Sequence, residues 1–492
     1  MPLRPHPHLY EIHAWVWLEQ LSRQYGRRVT LGSVPDSEWD DLRRRGFDLV
    51  WLMGVWERSP ESRRIFQSDS GSFAQYERAL PGWTLGQVVG SPYAVRTYRP
   101  DPRIGTWSEF DRVREKLHTR GMRLILDFVP DHTALDHPWV QTHPEYYVQG
   151  TPEDARRDPE TFFLAEKARG GPVAIARARD PYFPPWRDAA QINIFEPAAR
   201  LALLGELHEI ARHCDGVRCD MAMLVLNDVF FKTWHTFDTT QPLREEFWTQ
   251  VFPAFPGFRW IAEVSWEMET RLQELGFEFT YDKGFYDRLR SARPQEFLAH
   301  LGAEPAIQSR LVHFLENHDE PRSAAVFGAE RLSAATTLLA TLPGMRFYHH
   351  GQLTGAKIHV PIALGDAAVE APDPGVAALY EKTLSLSNEE VFHTGEWKLL
   401  EVQSVGDDSW ENLIAYRWRS AQALRVIVVN LGAGTSQGRI PLAGEISPTS
   451  NYSLVDKFTD TVYPRSGNEM TAKGLYVRLD AYRAHWLEVS PA

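Results

Sequence analysis

The stretch DGVRCDMAM, residues 215–223, follows a long helical pattern and reads as a buried strand. Yet Arg218 and Asp220 lie two residues apart within it. Side chains alternate between the faces of a strand, so this cation and this anion point the same way. A strand that is apolar on both faces belongs to a parallel sheet covered by helices. The flanking sequence repeats that arrangement. EPAARLALLGELHEIARHC (196–214) is a helix leading directly into the strand, and RWIAEVSW (259–266) is the next strand.

Working outward, LYEIHAWVWL (9–18), FDLVWLMGVW (47–56) and MRLILDFVP (122–130) read as strands one to three. The strand of the opening stretch is the fourth. RWIAEVSW, FEFTYDK (277–283), LVHFLENHD (311–319) and GMRFYHHG (344–351) are the fifth to eighth. Helical patterns separate most of them. SEWDDLRRRG (37–46) and SEFDRVREKLHTRG (108–121) each end on Gly, and Ser108 reads as an N-cap. Eight alternations of strand and helix predict a (β/α)8 TIM barrel. A doubly wound open sheet is the alternative, but no G-x-G-x-x-G loop follows the first strand.

Residues 136–190, rich in Pro, Arg and aromatics, are too long for an ordinary connection and read as a small inserted domain over the barrel mouth. After Glu389 the pattern becomes alternating strands without helices, which predicts a C-terminal antiparallel β-sandwich. The expected division is barrel over 1–135, inserted domain over 136–190, barrel again over 191–388 and sandwich over 389–492.

Composition narrows the partners. The formal net charge of −12 argues against the nucleic-acid backbone and against anionic membrane surfaces, and is indifferent to neutral sugars. Two cysteines, Cys214 and Cys219, allow at most one disulfide and suggest a reducing compartment. With no apolar leader segment evident near the first residues, the expected location is the cytoplasm.

In a parallel barrel, chemistry gathers at the C-terminal strand ends. Those ends carry Asp127 and His132 (strand three), Arg218 and Asp220 (four), Glu263 (five), and His318 and Asp319 (seven). Each residue alone is better explained as a cap, an ion pair or a solvated strand end. Together at one mouth they point to paired-carboxyl chemistry, with one carboxylate kept ionised by a neighbouring cation and one carboxyl kept protonated. Such a pair can cleave a glycosidic bond with retention.

Four blocks at these ends, DFVPDH (127–132), DGVRCD (215–220), IAEVSW (261–266) and LENHDEPR (315–322), resemble those of the α-amylase family of glycoside hydrolases (glycoside hydrolase family 13). The architecture is similar too, so the resemblance spans nearly the whole chain. It implies Asp220 as nucleophile, Glu263 as general acid/base and Asp319 as transition-state stabiliser. It further implies that Arg218 orients Asp220, that His132 and His318 bond the sugar, and that Asp127 supports Arg218. PYAVRTY (92–98) resembles a family stretch that makes Tyr93 a stacking platform, with Pro92 and Thr97 as departures. In HGQLTG (350–355), Leu353 stands where the family often has Glu. Many relatives carry Lys-His where this chain has Met223 and Leu224, which predicts a less polar leaving-group side and a preference for short substrates. Asp131 stands where a calcium-binding Asn is common; Asp is a competent oxygen ligand, but the local set is incomplete, so no metal and no cofactor are expected. Tyr182, Phe183 and Trp186 are read as core of the inserted domain rather than cleft.

The expected activity is therefore retaining hydrolysis or transglycosylation of α-linked glucose, with a carbohydrate as the partner. A dedicated glucosyl or maltosyl transferase is the alternative within enzymes. A catalytically inactive carbohydrate-binding protein is the alternative outside them, disfavoured by the intact Asp220, Glu263 and Asp319. Linkage, chain length and oligomeric state are left open.

Overall fold

The computed structural model describes residues 3–166, 171–236, 245–291 and 293–492. Eight parallel strands close a barrel: β1 (His8–His13), β2 (Leu49–Met53), β3 (Arg123–Phe128), β4 (Gly216–Cys219), β5 (Arg259–Ala262), β6 (Phe279–Tyr281), β7 (Leu311–Phe314) and β8 (Met345–His349). Each strand pairs with its neighbours in sequence, and β8 closes on β1. Runs such as LVWLM in β2 are buried at every position because one face fills the barrel and the other meets the surrounding helices.

The first strand is shorter than its pattern suggests. β1 stops at His13, and Ala14–Tyr25 is a helix. Ala14 to Leu18 are all buried, so no period separates strand from helix there. Tertiary packing decides it: the His13 ring accepts from Val16 N at 3.3 Å, and Gly26, at φ +60°, caps the far end. The second strand also ends early. Gly54 turns the chain at φ +74°, a left-handed conformation natural to glycine. Trp56–Arg58 then pairs with Val95–Pro100 outside the barrel. The helix Trp107–Thr119 starts one residue before the expected Ser108 cap. Thr106 is its N-cap because Glu109, three residues on, completes a capping box with it.

Beyond β3, His132–Ala134 pairs with Ala189–Gln191 in an antiparallel ladder at the barrel mouth. Between these strands lies a separate three-stranded sheet, ordered Gln149–Gly150, Val173–Ala176, Phe162–Ala165. Residues 167–170 of the expected insertion lie outside the described residues. At the C-terminus a six-stranded antiparallel sheet and a two-stranded one enclose their own core of Leu413, Val426, Ile440, Leu454, Val477 and Leu487. The opposite face of the larger sheet joins the barrel core through Tyr416, Trp418 and Trp486. Trp418 Nε1 donates to Thr341 O at 2.6 Å and Trp486 Nε1 to Thr337 Oγ1 at 3.1 Å, both on the helix Ser323–Thr341. Among the described residues no helix is long and apolar enough to cross a membrane.

Candidate active site

Arg218 is the hub of the barrel mouth. In the β3–β4 ladder it stands opposite Asp127, and in the β4–β5 ladder opposite Ile261. Its side chain is only 1 % exposed. Nη1 donates to Asp220 Oδ1 at 2.5 Å, and Nη2 lies 2.8 Å from Glu263 Oε2. Asp127 Oδ1 is 3.7 Å from Nη1. One guanidinium therefore holds carboxyls from the ends of β4 and β5 side by side. The rings of Trp51, Tyr93 and Tyr281 surround it, with centroids 5.1–5.8 Å from Cζ, which suits a buried cation.

The chain leaving β4 folds back over Glu263. Met221 adopts φ +38°, an unfavourable left-handed conformation for a residue with a side chain. That turn lets Met221 N donate to Glu263 Oε2 at 2.9 Å and Ala222 N to Glu263 O at 3.0 Å. Strain in the backbone is offset by bonds that pin the carboxyl.

These environments separate the carboxyls. Burial pushes Glu263 up to about 7; Asp220 and Asp319 add to the rise, and Arg218 opposes it. Partial burial opposes ionisation of Asp319, whose side chain is 51 % exposed, but His318 and then Arg218 outweigh it and hold the carboxyl below its ordinary value. Burial raises Asp127 to about 6 despite Arg218. Its Oδ2 accepts from Gly54 N at 3.1 Å, so it braces the hub and the β2 turn together. Burial works against a charge on His132, but Asp131, 3.0 Å from its Nδ1, and then Asp220 push the imidazole up to about 9.

A cleft of about 420 Å³ opens above these groups. Of the residues expected at the site, Asp220, Glu263, Asp319, Tyr93 and His132 line it. Arg218, Asp127 and His318 lie behind them, each 2 % exposed or less. Tyr93 OH is 2.7 Å from His318 Nε2, and the two rings stack at 5.3 Å with 27° between planes.

Three expectations change. Met223 and Leu224 are buried at 0 % and 5 % exposure and do not face the cleft, because the chain turns inward into a short 3₁₀ helix, Ala222–Val225. Trp186 lines the cleft against His132, their ring centroids 5.1 Å apart, instead of filling the core of the insertion. Tyr182 and Phe183 are 58 % and 65 % exposed. Tyr182 meets Trp266, on the loop after Glu263, edge to face at 4.9 Å.

Two further groups carry no motif in the sequence. Glu11, on β1, is fully buried, and its Oε1 lies 2.6 Å from His318 Nδ1. Asp188 lines the cleft and accepts from Ser62 Oγ at 2.5 Å. The LYEIH pattern around Glu11 signals a buried strand with one acidic residue inside it, which was the available clue. Among the described residues, Asp131, His132 and Asp220 form a group with ligand atoms within 4.8 Å of one another. The His132 ring already engages Asp131 Oδ1, and Arg218 engages Asp220, so an ion there would compete with both.

The model of the α-amylase catalytic domain matches residues 40–255, a stretch that includes the first two blocks and stops short of Glu263 and Asp319. The α-amylase MalA of Haloarcula japonica is 23% identical over 355 residues, covering 69% of this chain and 47% of that protein. The 4-α-glucanotransferase of Thermotoga maritima is 25% identical over 336 residues, covering 64% of this chain and 65% of that one. The chain spans about half the length of the first curated relatives it matches. Among solved structures, a noncanonic maltogenic α-amylase, AmyB, from Thermotoga neapolitana superposes with a TM-score of 0.69 at 21% identity over 99% of each chain.

Proposed function

We propose that this chain, which belongs to the α-amylase family of glycoside hydrolases, is a retaining enzyme that cleaves or transfers α-linked glucose through a covalent intermediate. The observation that carries the reading is the single guanidinium of Arg218 in contact at once with Asp220 and Glu263, with the Glu263 carboxyl raised to about 7. A carboxyl that stays protonated near neutral pH next to a second carboxyl group is the acid that paired-carboxyl glycosidases need.

In the first step the Asp220 carboxylate attacks the anomeric carbon while protonated Glu263 gives its proton to the departing oxygen. The C1–O bond breaks and an ester to Asp220 forms. In the second step the Glu263 carboxylate takes a proton from water or from an acceptor hydroxyl, which attacks C1 and releases Asp220. Two inversions retain the α-configuration. Asp319, which lines the same cleft, accepts hydrogen bonds from hydroxyls of the same sugar, and Tyr93, Trp186 and His132 wall the pocket that holds it.

The buried, unpaired Cys214 and Cys219 accord with a cytoplasmic location.

The test is incubation with short α-glucosides and with soluble starch, following products by NMR in the first minutes. Release of the α-anomer, with transfer products at high substrate, is expected; β-anomer release refutes the covalent route.

A further inference from the structure

Behind the cleft runs a line of three ionisable groups from three parts of the barrel. Glu11 comes from β1, His318 follows β7, and Asp319 reaches the cleft. Glu11 stands between Trp51 of β2 and His349 of β8 in the ladder, and none of its surface is exposed. A buried acidic residue without a role is costly, since desolvation is offset only by a partner of opposite charge. Its Oε1 lies 2.6 Å from His318 Nδ1. Its Oε2 has no hydrogen-bond partner and is 3.9 Å from His349 Nε2. On the other side of the ring, His318 Nε2 is 3.1 Å from Asp319 Oδ2 and 2.7 Å from Tyr93 OH.

A carboxylate accepts hydrogen bonds and cannot donate them. A neutral imidazole has one donor nitrogen and one acceptor nitrogen. Tyr93 OH, 2.7 Å from Nε2, can donate to a neutral ring or accept from a charged one, but the carboxylates of Glu11 and Asp319 can only accept, so both are answered by the ring only when both nitrogens carry protons.

We propose that Glu11 is a positioning residue that keeps His318 doubly protonated, so that Nε2–H locks the Asp319 carboxylate in its cleft-facing orientation. The inference rests on the reading of this cleft as a glycoside-cleaving site. It adds a residue that no sequence block contains.

The remaining neighbours of the ring agree with that assignment. Trp51 of β2 meets the imidazole edge to face at 5.6 Å and contributes no charge. His359 Nε2, 2.8 Å from His318 O, contacts the backbone rather than the ring. His13 of β1 and His349 of β8 are buried, and burial holds both below the ordinary histidine value, so neither competes as a cation. Arg218 of β4 repels a second positive charge, while Asp127 of β3 attracts one. Arg322, on the same stretch as His318, is tied to Glu316 at 2.7 Å. Against burial, Asp319 and Glu11 raise His318 well above its ordinary value.

The decisive measurement is the ¹⁵N spectrum of the histidine rings of the substrate-free protein, with His318 assigned by its absence in His318→Gln. In the native protein both ring nitrogens of His318 are expected to carry protons up to about pH 8. Glu11→Gln keeps a hydrogen-bonding group of the same shape and removes the charge. There His318 is expected to titrate at least about one pH unit lower, and Glu11→Asp to restore part of the shift. With substrate, kcat of Glu11→Gln relative to native should fall about tenfold more at about pH 8 than at about pH 5, with a smaller change in KM. A neutral His318 in the native protein at about pH 7, or an unchanged imidazolium in Glu11→Gln, overturns the proposal. The native spectrum decides the first point even if Glu11→Gln does not fold. A protein whose His318 behaves as stated but which turns over no α-glucoside refutes the functional reading and leaves the ionisation intact.

Discussion

Replacing Glu263 with Gln separates its chemical role from its structural one. In the native protein the carboxyl is raised from an ordinary 4.5 to about 7, first by burial and then by Asp220 and Asp319. Proton donation needs the protonated form, so kcat/KM should fall about tenfold for each pH unit above that value. Gln cannot titrate. The variant should lose this alkaline limb and drop about 10²–10⁴-fold on sugars with ordinary leaving groups. An aryl glucoside with a very good leaving group should be largely spared in the first step. The same substitution should stabilise the fold at neutral pH. Between 4.5 and about 7 the folded protein holds a proton that the unfolded chain releases, so stability declines as pH rises through that window and stays low above it. Full burial would make the loss about 3 kcal/mol; the 18 % of the side chain open to the cleft screens part of this, leaving about 2 kcal/mol. Urea unfolding of native protein and variant at pH values on both sides of the window measures it, alongside pH–rate profiles on both substrates. An alkaline limb that persists in the variant, or equal loss on both substrates, would show that Glu263 is not the acid.

Asp220→Ala should lower turnover by several orders of magnitude while the chain still folds, because Arg218 keeps Glu263 as a partner at 2.8 Å; near-native activity in a variant with an unchanged near-ultraviolet circular dichroism spectrum would remove Asp220 from the mechanism. Trp418→Phe retains most of the apolar packing between the C-terminal sheet and the barrel but leaves Thr341 O without its donor at 2.6 Å. Stability should fall by about 1–3 kcal/mol with activity per folded molecule unchanged, read from chemical unfolding and from kcat.

The residues at the barrel mouth were legible one block at a time. Asp127, Arg218, Asp220, Glu263 and Asp319 each sit at or just past the end of an apolar run, and a parallel barrel brings all such ends to one face. Met223 and Leu224 misled for a related reason. The resemblance aligns these positions with cleft-facing residues of relatives, but an aligned position does not fix where a side chain points once the strand has ended, here at Cys219. The left-handed Met221 then turns the chain inward. Similarly, the run from Leu9 to Leu18 is apolar throughout, and nothing within it marks the change from strand to helix at His13.

The sequence by itself determined the alternation of eight strands and helices, the presence of antiparallel β-structure towards the C-terminus, and the chemical types gathered at the active end, though not the helices Val391–Thr394 and Gly467–Ala472 where no helix was expected. These are local properties: hydrophobic period, turn residues and the order of polar positions along the chain. Tertiary structure alone decided which groups touch. Arg218 joins Asp220 to Glu263, 43 residues later, and Glu11 meets His318 across the closure of β1 with β8 and β7. Separations of that kind leave no periodic trace in a sequence. The ionisation of each carboxyl depends on burial and on charges a few ångströms away, which exist only once the barrel has closed.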